Sequence, residues 1–294
     1  MTLLERQDPK TQEAVPPYAE NTIAAPGNEA DMNVKPNYGE DTYVGSEKLK
    51  GQAAIITGGD SGIGRAIALA FAREGADVLI SYLNEDEDAQ ETARLVTEAG
   101  QKVVLMPGDI SEEKHCQAIV QKAMDEFGYL DILVNNAAFQ RAHGKITEFP
   151  SDEWDYTFKT NVYAMFYLCK AALPLMRTGG SIINTTSIQA YQPEAFLLAY
   201  AATKGAIVNF TKALSQEAIK SGVRVNAVAP GPVWTPLIPS TLPLEQVKTF
   251  GQDTTIGRAA QPSELAPVYV LLASQEGSYI TGQIYGITGG DPIA

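Results

Sequence analysis

Cysteine and histidine are both scarce in this chain, since each occurs only twice among 294 residues. Cys116 and Cys169 are far apart and form no Cys-x-x-Cys motif, so a disulfide framework is not expected and a reducing compartment suits the chain. His115 and His143 belong to no metal-ligand pattern. We therefore predict that the protein binds no metal.

Long apolar runs and an excess of positive charge are also lacking. No run reaches the length that spans a bilayer, and the first ten residues carry charges where a signal peptide needs an apolar core. Lysine and arginine number 22 against 35 acidic residues, which gives a net charge of -13. Nucleic acids and anionic membranes bind basic patches, so we expect neither as a partner. We expect a cytoplasmic protein.

The body of the chain, residues 46–294, has the composition and pattern of one α/β domain. Apolar residues make up 45% of the sequence, enough for a large core. Strand-length apolar runs alternate with amphipathic helical stretches, which is typical of a parallel sheet covered by helices on both faces. We predict a single Rossmann-type, doubly wound sheet of about seven strands. One long helix is predicted from about Asp152 to Arg177, before a strand over residues 181–186.

The first 45 residues differ from this body. They hold five prolines, eight acidic and three basic residues, and show no helical or strand periodicity. Such a segment buries too little apolar surface to offset its ordering entropy, so alone it should be flexible. The alternative is an extended arm laid across a neighbouring subunit, with apolar anchors at Tyr18, Ile23, Met32, Tyr38 and Tyr43.

A tyrosine and a lysine, Tyr200 and Lys204, are spaced four apart in a stretch that follows a predicted strand. On a helix this spacing places both side chains on one face. A free tyrosine titrates near pH ~10, and a neighbouring ammonium lowers that pKa toward the range of general acid-base catalysis. Ser187 lies at the end of the strand and could meet the helix there. A Tyr-x-x-x-Lys spacing also arises by chance, so the surrounding sequence decides whether these residues are catalytic.

The context is a glycine-rich turn between a strand and a helix, with Gly58, Gly62 and Gly64. Glycines there permit a tight turn and let backbone N–H groups at a helix N-terminus approach a pyrophosphate. The spacing differs from the usual G-x-G-x-x-G of dinucleotide-binding folds. Taken alone, a glycine-rich turn of this kind can equally serve close packing of the helix on the strand, with no ligand bound.

Together these stretches resemble the classical short-chain dehydrogenase/reductase family, over about residues 48–290. Five motifs follow the family's order: T-G-x-x-x-G-x-G at Thr57–Gly64, N-N-A-G at Asn135–Ala138, the helix asparagine at Asn161, the serine and Y-x-x-x-K at Ser187 and Tyr200–Lys204, and P-G-x-V-x-T at Pro230–Thr235. Ala138 stands where the family has glycine. The N-terminal extension and Ser187–Tyr191 are similar to a glucose/ribitol dehydrogenase-like or NADP-dependent aldehyde reductase subgroup.

The resemblance implies roles for individual residues. The catalytic set would be Asn161, Ser187, Tyr200 and Lys204, with Asn161 holding a water that joins Lys204 to solvent. Tyr200 and Lys204 would also contact the cofactor, together with Gly58, Ser61, Gly62, Ile63, Gly64, Tyr82, Asp109, Ile110, Asn136, Ala137, Pro230, Val233 and Thr235. We expect the substrate to contact Gln140, Gln189, Tyr191, Trp234 and Ile238, and residues 236–260 to form a lid.

The implied activity is hydride transfer between NAD(P)(H) and a carbonyl or alcohol of a sugar, polyol, ketone or small aldehyde. The family also implies a homo-oligomer, at least a dimer and by preference a tetramer. Two alternatives stay open: a 3-oxoacyl carrier-protein reductase, which should show a basic docking patch, and a nicotinamide-binding redox sensor without turnover. A sensor has no need of a proton donor, which counts against it.

The choice between NADP and NAD depends on the end of the second strand. An NAD enzyme usually has an acidic residue there and an NADP enzyme a basic one. Ser81 and Tyr82 are neutral, Ser61 in the glycine turn is neutral too, and Asp60 and Glu85 are mildly unfavourable to a phosphate. We predict that both cofactors bind, with NADP slightly preferred and a ratio of kcat/KM below about a hundredfold.

Overall fold

The computed structural model describes residues 7–20 and 22–293, and within them seven strands form one parallel sheet. In spatial order 3-2-1-4-5-6-7, the strands are β1 Ala53–Thr57, β2 Asp77–Tyr82, β3 Val103–Pro107, β4 Leu130–Asn135, β5 Met176–Thr185, β6 Arg224–Pro230 and β7 Ile284–Ile287. The chain reverses its direction of winding between β1 and β4. Ligands of open α/β sheets bind at this kind of switch point, beside the carboxyl ends of the strands. The predicted fold class is confirmed.

Helices cover both faces of the sheet. The described helices are α1 Gly62–Arg73, α2 Asp86–Glu98, α3 Glu113–Phe127, α4 Ser151–Phe158, α5 Ala164–Ala172, α6 Leu198–Ala218, α7 Leu237–Thr241, α8 Leu244–Lys248 and α9 Pro262–Ala273. Ile56 packs with α1, α2 and α9, whereas its neighbour Ile55 packs with α3, α5 and α6. Successive side chains of a strand point to opposite faces, so a strand buried on both sides is apolar at every position.

The predicted helix from Asp152 to Arg177 is wrong in two respects. A π-helical turn at Lys159–Tyr163 separates α4 from α5, and α5 ends at Ala172. Pro174 lies in the short 3₁₀ turn that follows, where its ring and missing N–H stop the helix. The strand then begins at Met176 instead of residue 181, with its register interrupted before Ser181.

The N-terminal arm, residues 7–20 and 22–45, packs against its own domain. Its described part has little regular structure beyond a 3₁₀ turn at Glu29–Asp31. Tyr18 stacks on Trp234 with ring centroids 4.2 Å apart, and the two belong to a buried cluster with Ile23, Met32, Ile238, Val247 and Ala259. The expectation of a flexible segment is therefore wrong, because the anchors bury apolar surface that the domain supplies. These anchors are also not available to hold a neighbouring subunit.

Candidate active site

A cleft of about 760 Å³ opens at the carboxyl ends of the central strands. Ser187, Tyr200 and Lys204 line it on one side of the switch point, and Gly58 and Gly62 line it on the other. The parallel sheet brings these residues together because all its strands end at the same edge.

Tyr200 and Lys204 face the cleft from the first turns of α6, as their spacing predicts. Lys204 Nζ lies 5.1 Å from the centroid of the Tyr200 ring and donates a hydrogen bond to the Thr185 carbonyl at 2.8 Å. Ser187 follows the end of β5, and its side chain hydrogen-bonds Tyr200. The Ser187 hydroxyl also accepts the N–H of Gln189 at 3.2 Å. A serine, a tyrosine and a lysine thus form one continuous polar group.

Burial dominates the titration of this pair. It raises the pKa of Tyr200 to about 12, with the Ser187 hydrogen bond acting in the opposite direction, and it lowers the pKa of Lys204 to about 7. The expectation that Lys204 depresses the Tyr200 pKa is therefore wrong for the protein groups alone. Burial removes the Tyr200 phenolate and the Lys204 ammonium from water, and this desolvation costs more free energy than the attraction between the two charges regains. Tyr200 is consequently held protonated, the state of a proton donor.

Asn161 lies behind the cleft and connects two of its walls. Its amide donates to the Phe139 carbonyl at 2.9 Å and to the Thr203 hydroxyl at 3.1 Å, and its oxygen accepts the Phe139 N–H at 2.7 Å. The π-helical turn orients this side chain inward, and such turns occur frequently at functional sites. Asn161 thereby joins the loop after β4 to the residue before Lys204.

The glycine turn has the shape that a dinucleotide needs. Gly58 and Gly62 have positive φ angles of +60° and +53°, which other residues rarely adopt. Gly64 does not line the cleft, but a Cβ there would lie 1.8 Å from the Gly58 carbonyl oxygen, so only glycine allows this packing. Gly62 and Ile63 begin α1, whose N-terminal amides and dipole attract a pyrophosphate. The turn therefore fits a dinucleotide phosphate group.

The adenosine end of the cleft has polar groups and no lysine or arginine among its lining residues. Ser81 Oγ is buried and has no hydrogen-bond partner within the described parts of the chain. Burial, and then the charge of Glu85, raises the pKa of Asp60 to about 7. Tyr82 and Ile110 also line this end, as does Asp109, whose carboxylate accepts the Ser111 N–H at 2.8 Å.

At the nicotinamide end, Pro230, Val233 and Thr235 line the cleft as the resemblance implies. Ser61, Ala137 and Asn136 line it as well. The Asn136 amide, however, donates to the carbonyls of Thr57 and Gly58, at 3.2 and 3.1 Å. The protein itself therefore uses this side chain, which fixes the tip of β4 against the glycine turn.

The predicted substrate residues divide into two groups. Gln140, Gln189 and Ile238 line the cleft, whereas Tyr191 and Trp234 do not. Trp234 is a clear correction, because it is 1% exposed and its indole N–H donates to the Val34 carbonyl of the arm at 3.0 Å. Leu242 and Phe250 of the predicted lid line the cleft, and sequence reasoning missed further lining residues, among them Phe139, Gln192 and Phe196. The sequence feature that could have identified them is the presence of apolar residues in the loop near the Y-x-x-x-K motif.

Within residues 7–20 and 22–293, no helix has both the length and the apolar character that crossing a membrane requires. In the same residues, no three His, Cys, Asp or Glu side chains are grouped so that they could hold a metal ion. Cys116 and Cys169 are both free and buried, and burial raises the pKa of each thiol to about 12.

Comparison with known proteins agrees with this geometry. A family profile described as enoyl-(acyl carrier protein) reductase matches residues 58–291. The uncharacterized oxidoreductase YhdF of Bacillus subtilis is 52% identical, over 90% of this chain and 92% of its own. NADPH-dependent aldehyde reductase 1 of Arabidopsis thaliana (91% of this chain, 95% of its own) and glucose and ribitol dehydrogenase of Daucus carota (90% and 93%) are each 44% identical.

Solved structures extend the agreement to three dimensions. A short-chain dehydrogenase from Burkholderia cenocepacia in complex with NADP is 32% identical, with a TM-score of 0.78, over 83% of this chain and 98% of that one. L-sorbose reductase from Gluconobacter frateurii, complexed with NADPH and L-sorbose, is 35% identical, with a TM-score of 0.76, over 83% and 97%. Motifs, fold and relatives together show that this chain belongs to the short-chain dehydrogenase/reductase family.

Proposed function

We propose that this protein transfers a hydride between NADP or NAD and a carbonyl or alcohol carbon of a small molecule. The observation that carries the proposal is the grouping of Ser187, Tyr200 and Lys204 in the same cleft as the glycine turn. The nicotinamide ring, when bound, supplies or takes up the hydride. The protein must then bind the carbonyl oxygen and supply its proton.

Ser187 and Tyr200 are the groups placed for that task. Their hydroxyls would donate to the carbonyl oxygen as negative charge develops on it, and Tyr200 would give it a proton. Lys204, held by the Thr185 carbonyl, would bind the nicotinamide ribose. In alcohol oxidation the same groups act in reverse.

We assign the return of the proton to a buried water near Asn161. A cavity of about 10 Å³ lies there, close to the volume one water occupies. Thr160 Oγ1 and Asn135 Oδ1 belong to residues lining it, and neither atom has a hydrogen-bond partner in the described chain. Buried polar atoms of this kind are usually satisfied by water.

The substrate side of the cleft combines polar and apolar groups, which favours a sugar, a polyol or a small aldehyde. Gln140 and Gln189 can hydrogen-bond hydroxyls, whereas Ile238, Leu242 and Phe250 offer apolar contact. The names of the aldehyde reductase, glucose and ribitol dehydrogenase and L-sorbose reductase relatives support this range. The chain's net charge of -13 does not favour docking of an acidic carrier protein.

The direct test follows NADPH and NADH oxidation with a panel of aldehydes, ketones, sugars and a 3-oxoacyl carrier-protein thioester. We expect turnover with at least one free carbonyl compound. Turnover of the thioester alone would establish the carrier-protein reductase instead. Cofactor binding without turnover of any compound, in either direction, would favour the redox sensor.

Cofactor preference is expected to change with pH, because burial raises the pKa of Asp60, which lines the cleft, to about 7. Below that pKa the protonated carboxyl can donate to a 2'-phosphate, and above it the carboxylate repels the phosphate. The NADP/NAD ratio of kcat/KM should therefore fall about tenfold from pH 6 to pH 8.5, as roughly 1.4 kcal/mol of interaction is lost.

The Asp60→Asn variant separates this effect from titration of the phosphate itself. Asparagine keeps the size of the side chain but does not ionise, so the ratio should vary much less with pH than in the wild type. Equal pH dependence in both proteins would contradict the role of Asp60.

We also propose that the protein is a cytoplasmic homotetramer. Tyr163 of the π-helical turn, Phe166 of α5 and Leu198 of α6 are 44%, 46% and 38% exposed, an apolar surface that a second copy would cover. Light scattering tests this assembly: a molar mass of four chains is the expected result, and a monomer would contradict it.

A further inference from the structure

The N-terminal arm forms part of the cleft that holds the proposed cofactor. Pro26 and Gly27 line the cleft together with the glycine turn and the Thr235 segment. The arm is fixed to the domain on both sides of this crossing. One attachment is to α1 and α2, and the other is to the segment that contains α7 and α8.

The first attachment is a buried ion pair behind the glycine turn. Arg65, 3% exposed on α1, pairs with Glu29 of the arm, and its guanidinium lies 4.7 Å from the centroid of the Tyr38 ring. The Tyr38 hydroxyl donates to Glu29 at 2.7 Å, and the Glu29 N–H donates to Asp88 at 2.9 Å. Arg65 and Asp88 belong to the domain, so Glu29 fastens the arm to it.

Arg65 also reaches the glycine turn itself. Its Nε donates to the Asp60 carbonyl at 2.9 Å, and Asp60 lines the cleft. The guanidinium is paired with two carboxylates, those of Glu29 and Asp88, and the Glu29 carboxylate is the nearer of the two. The arm carboxylate of Glu29 therefore helps to fix Arg65, which in turn supports the glycine turn from behind.

The second attachment is to the lid segment. The Ile23 N–H donates to the Pro239 carbonyl at 3.3 Å, and the Ser240 hydroxyl donates to the Pro26 carbonyl at 3.3 Å. Further along, the Tyr18 N–H donates to the Lys248 carbonyl at 3.0 Å. α7 and α8 are each only five residues long, so these contacts and the Tyr18–Trp234 stack supply much of what holds them.

Between the two attachments the arm passes close to the diphosphate position. A Cβ on Gly27 would lie 2.8 Å from the Pro236 carbonyl oxygen. A Cβ on Gly62 would lie 3.2 Å from Thr235 and 4.0 Å from Pro236. Gly27 and Gly62 thus both lie near Pro236, and Gly62 begins the helix whose amides suit a pyrophosphate.

We propose that arm residues 23–38 are positioning residues of the cofactor site, which hold the lid and the glycine turn together over the bound diphosphate. Release of the dinucleotide then requires one of the two attachments to open. The proposal rests on the proposed nicotinamide-dependent function.

Release of NADPH from the full chain tests the proposal without turnover, by stopped-flow measurement of NADPH fluorescence. Glu29→Gln should weaken the attachment at Arg65. Ile23→Ala keeps the backbone hydrogen bond to Pro239 but removes apolar packing in the buried cluster with Ile238 and Val247, so it should weaken the attachment to the lid segment. Each should accelerate NADPH release and raise its Kd about tenfold, roughly 1.4 kcal/mol. At saturating cofactor and substrate, kcat should not fall, because neither residue touches the reacting atoms.

Tyr43→Phe is the matched control. Its hydroxyl donates to Glu74 at 2.7 Å, at the far end of α1, so the variant loosens the arm away from the cleft. NADPH release should remain at the wild-type rate. A control that accelerates release as much as Glu29→Gln would overturn the proposal, since any general loosening would then suffice.

Limited proteolysis of the arm shows whether each variant frees it. Wild-type release rates in both Glu29→Gln and Ile23→Ala, with the arm cut faster than in the wild type, would overturn this proposal alone. A wild-type protein that binds neither NADPH nor NADH would instead overturn the proposed function, and this proposal with it.

Discussion

The Tyr200→Phe variant is expected to lose about 10²- to 10⁴-fold in kcat while it binds NADPH nearly as the wild type does. The change removes one hydroxyl from a half-buried ring that lines the cleft and adds no new group. Without that hydroxyl, the protein lacks the group that we propose gives a proton to the carbonyl oxygen of the substrate. Steady-state rates with the best substrate, together with NADPH fluorescence titration, separate loss of chemistry from loss of binding.

The fully exposed Tyr279 provides a matched control, because Tyr279→Phe makes the same chemical change far from any packing. It should leave kcat and KM unchanged. Near-normal kcat in Tyr200→Phe would show that another group donates the proton, and the assignment of Tyr200 would have to be abandoned.

Lys204→Met is expected to change activity and stability in opposite directions. Activity should fall about 10²-fold or more, since the variant loses the ammonium that we propose binds the cofactor ribose and aids proton return. The free energy of unfolding should rise, because Lys204 is 2% exposed and its pKa is lowered to about 7 by burial alone. The charged side chain thus costs stability that methionine recovers.

The size of the gain follows from two opposing effects. A pKa lowered by more than three units corresponds to roughly 4 kcal/mol of destabilisation at pH 6. Methionine leaves the Thr185 carbonyl without its hydrogen bond, which costs about 1–3 kcal/mol. The net gain is roughly 2 kcal/mol, or about 5 °C in Tm.

The gain should depend on pH in a defined direction. Between pH 7 and 10.5 the unfolded chain carries the Lys204 proton and the folded chain does not, so wild-type stability rises with pH in this window. Lys204→Met lacks this dependence, so its advantage should be largest below pH 7 and small near pH 10. Lys212→Met, an exposed substitution on the same helix, is the control and should change little. Lower stability of Lys204→Met at pH 6 would refute the assigned cost of burial.

The sequence predicts those features that depend on local pattern. Largely apolar strands such as Ala53–Thr57 and Arg224–Pro230 are predicted, the latter as Val223–Val228, because a parallel sheet buries both faces. The positions of Ser187, Tyr200 and Lys204 at one cleft follow from the fixed geometry of strand ends and helix turns. Their spacing in sequence carries that information without any knowledge of the tertiary contacts.

Other features depend on contacts between distant segments, and they could not be predicted. Trp234 sits within a matched motif, yet its side chain packs on Tyr18, and no local pattern links the two residues. The π-helical turn at Asn161 likewise depends on the Phe139 and Thr203 contacts. The pKa of Lys204 depends on how fully the surrounding chain excludes water, which the spacing of two residues does not reveal.

The arm imposes an order on folding. Its side chains pair with groups late in the chain, as in the bond between Gln12 and Glu264, which are 252 positions apart. During synthesis the arm can meet α1 and α2 early, but the groups that bind Gln12 and Tyr18 leave the ribosome only much later. Contacts of such long range form late, because loop closure must come before any gain from the contact. We therefore expect the contacts of the arm with Trp234 and Glu264 to form late in folding, after its contacts with α1 and α2.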